Sequence, residues 1–273
     1  MAEASERLRA KIRQSLDIID DALAEHKVTH LFGLFSGGHD SLCSTSIAAR
    51  HTAFTGAAHI NTTIGIEATR RFVRRTCQNY FWPLKEYQPP VSYREIVLEH
   101  GFPGPGGHKF MYTRLKERCV RQLVREHKQS RFDRIGLVTG VRLSESTRRM
   151  GFVEPIQRSG AQLWIAPILH WTDEDKDEYM RVCNLPRNPV VDTICMSGEC
   201  LCGAFARKEE MVELELFFPE TAAEIHALEQ EARAKGVHCE WGKRPAGSRG
   251  EATKGGMLCA SCNQKNFDFL EAA

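Results

Sequence analysis

The residues near the start of the chain best suited to chemistry are Ser36-Gly37-Gly38-His39-Asp40-Ser41. Adjacent glycines can turn several backbone N–H groups toward one point, because glycine tolerates positive φ and brings no side chain against an anion. Ser41 falls where a helix opens, so its hydroxyl and the helix dipole favour the same phosphate. Asp40 repels bare phosphate, and the role expected of it is to hold Mg²⁺ or to fix the loop. The same six residues could equally form an ordinary strand-to-helix turn with a serine cap.

A second group lies at Gly140-Val141-Arg142-Leu143-Ser144-Glu145, with Arg148 just beyond. Gly140 ends a strand and lets the backbone turn, which sets Arg142 and Arg148 on a loop at the ligand edge. Arginine forks onto phosphate or sulfate in bidentate fashion, and Glu145 could hold one guanidinium in place. Asp40, Arg142 and Arg148 are therefore the expected catalytic residues. A solvated helix start with Ser144 as its cap is the plainer alternative.

The third group is made of thiols. Of ten cysteines, Cys43, Cys77, Cys119 and Cys183 are scattered singly through helical patterns, where a free cysteine behaves as a small hydrophobe. The other six lie in the C-terminal third. Cys200-x-Cys202 and Cys259-x-x-Cys262 supply four thiolates, enough for a tetrahedral Cys₄ zinc site or a [4Fe–4S] cluster. Cys195 and Cys239 could replace any of them. A metal there would tie the end of the chain to the rest and couple its folding to metal content.

Positioning these groups requires alternating strands and helices. Apolar runs over 28–35, 53–60, 135–141 and 163–168 read as strands, with a weaker one at 84–87. Helical spacing marks 41–50, 67–80, 112–127 and 173–183. Such alternation implies right-handed crossovers and a parallel sheet with helices on both faces, whose ligands bind beyond the carboxyl ends of the strands. Leu8, Ile12, Leu16, Ile19 and Leu23 mark an amphipathic N-terminal helix over 1–27. An α/β nucleotide-binding domain is expected over 28–190, followed by a helical and cysteine-rich metal segment over 191–273. In that segment a proline-punctuated loop at 185–190 leads to the first cysteines, a long helical stretch at 205–235 breaks at Pro219, and 242–256 reads as a mobile glycine-rich loop.

At 273 residues, 42% hydrophobic and 26% charged, the composition is that of a globular protein with one substantial core. No apolar run of about 18 residues is present to span a bilayer. The charged N-terminus does not read as a signal peptide, so reduced thiols and a cytoplasmic location are expected. The net charge of +2 argues against a protein-wide polycation, but Lys and Arg crowd 109–131, and Arg70, Arg71, Arg74 and Arg75 form a second cluster. Both are ordinarily solvated faces. If they line one rim, they suit tRNA or DNA.

The six-residue loop resembles the S-G-G-x-D-S loop of the ATP pyrophosphatase, or PP-loop, superfamily. His59-Ile60-Asn61-Thr62-Thr63-Ile64-Gly65, with Glu67 and Thr69, is similar to that superfamily's second-strand segment, which the resemblance places beside the nucleotide. Residues 139–148 resemble the G-x-R-x-x-E-S-x-R motif of the PAPS reductase branch, and 167–175 resemble the stretch that follows it. By this resemblance Ser36, Gly37, Gly38, His39, Asp40, Ser41, Asn61, Thr62, Gly140, Arg142 and Glu145 would bind an adenine nucleotide, with ATP and Mg²⁺ as the implied cofactors.

The chain departs from a true reductase. It lacks the E-C-G-[LI]-H tail that carries the reductase nucleophile, since Glu199-Cys200-Leu201-Cys202-Gly203 is internal and has no histidine. Tyr112 stands where relatives of this branch often carry cysteine. The resemblance then implies the other chemistry of the superfamily: adenylation of a substrate by ATP, with pyrophosphate as leaving group, followed by sulfur transfer or modification of a nucleotide or nucleic acid. The branch's DNA phosphorothioation sulfurtransferases are of this kind, and sulfur-handling relatives often carry [4Fe–4S], which favours iron–sulfur over zinc here. A sulfonucleotide reductase and a non-catalytic nucleotide-binding subunit are the alternatives.

Overall fold

A computed structural model of the chain describes residues 3–145, 154–237 and 239–243. Its elements are α1 (Glu6–Glu25), β1 (Val28–Leu34), α2 (His39–Ala48), β2 (Phe54–Ile60), α3 (Glu67–Asn79), β3 (Leu84–Tyr87), α4 (Tyr93–His100), α5 (His108–Tyr112), α6 (Arg118–His127), β4 (Arg134–Val138), β5 (Ile156–Ser159), β6 (Gln162–Ile165), α7 (Asp173–Val182), α8 (Pro189–Ile194), α9 (Glu210–Phe217) and α10 (Pro219–Ala234). The six strands form one sheet in the order β3-β2-β1-β4-β6-β5. All neighbours run parallel except β5, which pairs antiparallel with β6. The expected α/β class is therefore the observed one.

Alternate residues of β1 feed opposite faces, as a strand's period of two requires. Leu31 and Phe35 pack with residues of α1, α2, α3 and α7, while Phe32 and Leu34 pack with α6. A third cluster joins Ile64 and Ile66, just past β2, to Tyr93, Leu115, Ile194, Leu201, Cys202 and the apolar faces of α9 and α10. The described part of the C-terminal segment thus packs beside the carboxyl end of β2.

Several local details differ from expectation. β5 joins β6 through Gly160 at φ +61°, a short polar hairpin with too little apolar alternation to announce itself. α4 was not expected, although its Ser92/Glu95 capping box is a sequence signature. Residues 189–194 form a short helix, with Asn188 as its cap and Pro189 in its first turn, inside what reads as a loop. The helix expected over 112–127 starts at His108 and passes through a π turn at Thr113–Glu117. Pro219 does break the long C-terminal helical stretch, into α9 and α10. Most of the glycine-rich 242–256 lies outside the described residues.

The two basic clusters do not share one face. α3 packs on one side of the sheet and α6 on the other. Arg74 is taken up by Glu67 and Glu86, and Arg121 by Glu117. Among the described residues no helix is long and apolar enough to cross a membrane.

Candidate functional site

The loop between β1 and α2 lies at the carboxyl ends of the parallel strands. Gly37 takes φ +85°, and a Cβ there would stand 2.5 Å from Thr69 Cγ2, so this position needs glycine on both counts. Gly38 caps α2 without any side-chain hydrogen bond, whereas α1, α4 and α7 are capped by Ser5, Ser92 and Thr172. The first-turn N–H groups of α2 therefore lack the side-chain acceptor that those three helices have, and that Asn188 gives α8. The hydroxyls of Ser36 and Ser41 lie 3.1 Å apart, and Ser41 donates to the Gly38 carbonyl at 2.8 Å.

Gly140 approaches this loop from the end of β4. A Cβ added there would meet Asp40 C and Ser41 N at 2.5 Å. The glycine of the arginine motif is thus a steric requirement of the phosphate loop itself, and β4 stops at Val138, short of the expected 141, to make that turn. Gly140→Ala should displace the loop backbone at a cost of about 1–3 kcal/mol, the usual range for overpacking, and weaken ATP binding more than stability. Thermal unfolding and calorimetric titration of the variant would check it; unaltered ATP affinity would show that the loop does not depend on this contact.

Arg142 follows, 3% exposed. Its Nε donates to Asp40 Oδ1 at 2.5 Å, Nη1 to Ser144 at 2.8 Å, and Nη2 to Asp173 Oδ1 at 2.9 Å. The sequence suggested that Glu145 could hold one of the two guanidinium groups; that of Arg142 is held by Asp40 and Asp173, which the sequence did not indicate. Glu145 closes the short turn Leu143–Glu145, and Arg148 lies outside the described residues. Asp173, in the first turn of α7, also accepts from Lys176 Nζ at 3.0 Å. Burial alone would lower the Lys176 ammonium's pKa, but the Asp40 and Asp173 carboxylates outweigh it and hold it above the ordinary lysine value. Burial alone would raise Asp173, and Lys176 with Arg142 keeps it below the usual carboxylate range.

His39 is buried beneath the loop. Its Nε2 accepts from the backbone N–H of Asn188 at 3.1 Å, and Asn188 Nδ2 donates to the Gly37 carbonyl at 2.9 Å and to Thr69 Oγ1 at 3.2 Å. Asn188 is fully buried and ties α8 to the phosphate loop. Burial, aided by the Arg187 guanidinium, holds His39 below its ordinary 6.5 against the pull of Asp192. A histidine kept neutral in the fold contributes stability that is present above 6.5 and lost as pH falls, because the unfolded chain takes up the proton first. Unfolding measured between about pH 7 and 5 should lose more stability in wild type than in His39→Gln; equal pH slopes would remove His39 from this role.

Asn61 and Thr62 shape the second-strand loop. Asn61 Oδ1 accepts from the Thr63 N–H at 2.9 Å, and Thr62 N–H donates to Glu199 Oε1 at 3.1 Å. A strap from Ser197 to Leu201 runs along this loop: Ile66 N–H donates to Gly198 O at 2.8 Å, and Leu201 N–H to Ile64 O at 3.0 Å. Thr62 and Thr69 hydroxyls donate to Glu199 O and Ser197 O, both at 2.5 Å. Behind it, Glu199 Oε2 lies 3.3 Å from His59 Nε2 and 3.5 Å from Arg70 Nε, with the Glu199 and His59 side chains 5% and 0% exposed. His59 Nδ1 donates to the Phe35 carbonyl at 2.8 Å, next to Ser36. Sequence reasoning passed over Glu199, Asn188 and Lys176.

Cys200, Cys202 and Cys239 join one apolar cluster with Tyr93, whose hydroxyl donates to the Cys202 carbonyl at 2.9 Å. Burial, and then the neighbouring thiols of Cys202, Cys200 and Cys239, push the Tyr93 phenol up. Cys195 is exposed, in the left-handed conformation that ends α8. Cys259 and Cys262 lie outside the described residues, and among the described residues no group of three or more His, Cys, Asp or Glu is placed to hold a metal ion. Burial pushes Cys77 and Cys119 up to about 12, as expected of core thiols.

With an ATP complex of FMN adenylyltransferase from Candida glabrata the chain shares 14% identity at a TM-score of 0.50, covering 71% of this chain and 63% of that one. The likeness is one of fold, and the chain spans less than two thirds of that enzyme. Yeast FAD synthetase in complex with FAD gives 15% identity and a TM-score of 0.49 over 89% of this chain and 88% of that one. The PAPS reductase of Candida auris in its phosphate complex gives 16% and 0.49 over 70% and 93%. No curated protein matches the sequence. The phosphoadenosine phosphosulfate reductase domain model, however, matches residues 30–201, from β1 through the phosphate loop, the arginine motif and the Glu199 strap, and the chain belongs to that family, within the PP-loop superfamily.

Proposed function

We propose that this protein is an adenylating enzyme of the ATP pyrophosphatase type. The observation that carries the proposal is the phosphate loop: α2 opens on glycine with no side-chain cap, and Asp40 is held against Arg142 in its first turn. In the reaction a substrate oxygen attacks the α-phosphorus of ATP, a new O–P bond forms, the α–β bridging bond breaks, and pyrophosphate leaves with the electron pair. The loop N–H groups stabilise the charge on the departing pyrophosphate, where preorganised donors contribute most. Ser36 and Ser41 bind phosphate oxygens; Arg142 fixes Asp40, and Arg148 completes the arginine motif. Both bonds from Arg142 to its carboxylates use Oδ1. Asp40 is the residue suited to Mg²⁺, which when bound would neutralise phosphate charge. FMN adenylyltransferase, whose fold the chain shares, was solved with ATP, so ATP is the first nucleotide to test.

Sulfide or an amine then attacks the adenylated carbon, the C–O bond breaks and AMP leaves with the substrate oxygen and the electron pair, which gives sulfur transfer or modification of a nucleotide or nucleic acid as the second half of the reaction. Cys200 and Cys202, with Cys259 and Cys262 from the sequence, would hold a [4Fe–4S] cluster, or Zn²⁺ as the alternative. Cys200, Cys202 and Cys239 meet around Tyr93, which fits either, and a cluster would supply sulfide carriage only if one of the four thiolates left an iron open. Free thiols throughout the described residues accord with a cytoplasmic location. Anaerobically purified protein should be brown, and Cys202→Ser should lower its iron content while Cys43→Ser does not. Colourless protein with zinc would replace the cluster and keep the site.

Pyrophosphate release from ATP, assayed with RNA, DNA and small-molecule acceptor pools, tests the adenylation. The family match favours one second reading, sulfonucleotide reduction. Thioredoxin-dependent sulfite release from PAPS or APS without pyrophosphate release would establish it in place of the first. Nucleotide binding with neither product would leave a non-catalytic subunit.

A further inference from the structure

Arg142 is 3% exposed and so presents little surface to a ligand. Each of its guanidinium nitrogens already donates: Nε to Asp40, Nη1 to Ser144 and Nη2 to Asp173. Lys176 is placed differently. It stands one helical turn after Asp173 on α7, and its side chain is 15% exposed, so part of it reaches solvent. An ammonium carries three donors. Among the described residues Lys176 makes one hydrogen bond, to Asp173 Oδ1 at 3.0 Å, and a longer ion-pair contact with Asp177 at 3.6 Å. The chain Asp40–Arg142–Asp173–Lys176 links it to the first turn of α2 through contacts of 2.5, 2.9 and 3.0 Å. Arg142 and Lys176 answer the carboxylates of Asp40 and Asp173 in that chain, with Asp177 a more exposed third carboxylate beside Lys176, so Asp40 does not meet an arriving phosphate as an unpaired charge.

We infer that Lys176 is the side chain that grips the nucleotide's terminal phosphates, with Arg142 serving as the strut that holds Asp40 and Asp173 in place. The inference rests on the adenine-nucleotide reading above and adds a residue that no motif contains. Its ligand class is a polyphosphate chain, so the residue should distinguish ATP from AMP. An ammonium suits this role as a flexible point charge that can follow a phosphate, whereas Arg142 is locked by planar pairing.

The test is calorimetric titration of wild type, Lys176→Gln and Lys176→Arg with ATP, AMP and inorganic pyrophosphate. Lys176→Gln should weaken ATP and pyrophosphate about tenfold or more, the effect of one charged hydrogen bond, and leave AMP nearly unchanged. Lys176→Arg should recover most of the loss. Equal losses on ATP and AMP, or none, would overturn the inference and leave Lys176 as a neutralising partner of Asp173. Should Lys176→Gln fail to fold, the wild-type protein decides: pyrophosphate should slow acetylation of Lys176, read by mass spectrometry, and an unchanged rate overturns the inference. Wild type that binds pyrophosphate with protection of Lys176 but binds no adenine nucleotide would instead count against the adenylation reading and retain the phosphate grip.

Discussion

Glu199→Ala is expected to destabilise the protein by about 3–5 kcal/mol, the range for removing one partner from a buried ion pair. The carboxylate lies between two cationic or proton-bearing groups, His59 Nε2 at 3.3 Å and Arg70 Nε at 3.5 Å, with His59 fully buried. Alanine would leave the buried Arg70 guanidinium and His59 Nε2 facing no carboxylate, and would also take the acceptor from the Thr62 N–H. Glu199→Gln keeps an acceptor for Thr62 and can donate, so a smaller loss is expected. Urea unfolding of both variants checks this. An alanine variant within about 0.5 kcal/mol of wild type, the scale of a surface change, would mean that the cluster contributes nothing. Since Phe35 precedes Ser36 and Thr69 packs on Gly37, the same substitution should weaken ATP binding as well.

What could be read from the sequence was what local backbone chemistry dictates. Paired glycines at 37 and 38 announce a turn that can cradle an anion, alternating apolar runs announce a parallel sheet, and Pro219 announces a helix break; each depends only on near neighbours. What could not be read depends on partners far along the chain. Glu199 meets Thr62 across 137 positions, and Asn188 meets His39 across 149. A lone glutamate or an asparagine before proline carries no sign of which loop it will reach. His39 likewise gave no sign that one of its ring nitrogens accepts from the Asn188 N–H. Arg142 illustrates the reverse limit. Its side-chain type is right for phosphate, but only the fold reveals that Asp40 and Asp173 occupy it first. The basic run over 109–131 misleads for a different reason. Val120, Leu123 and Val124 turn inward on the sheet, while Arg121 is taken up by Glu117 and Lys116 is itself buried, pairings that a count of charges along the sequence does not show.

The second large effect is expected at the phosphate loop, where Ser36→Ala combined with Asp40→Asn should lower ATP affinity by about a hundredfold or more while leaving the fold in place. Ser36 and Ser41 bring their hydroxyls together over the first turn of α2, so losing Ser36 removes a donor and frees Ser41 to swing. Asp40→Asn keeps the size of the side chain and an oxygen for Arg142 Nε, which alanine would not. It removes the charge through which Arg142, itself 3% exposed, is balanced and through which Mg²⁺ would be held. Asp173 remains as the second partner of Arg142, so the guanidinium is not stranded and the core beneath the loop should stay packed. One charged and one neutral hydrogen bond together account for roughly 3 kcal/mol, which is about two powers of ten in the dissociation constant. Calorimetry with ATP and Mg²⁺, beside a thermal melt to certify folding, separates the outcomes. A folded double variant that binds ATP as wild type does would remove the nucleotide from this loop, and with it the ground for adenylation.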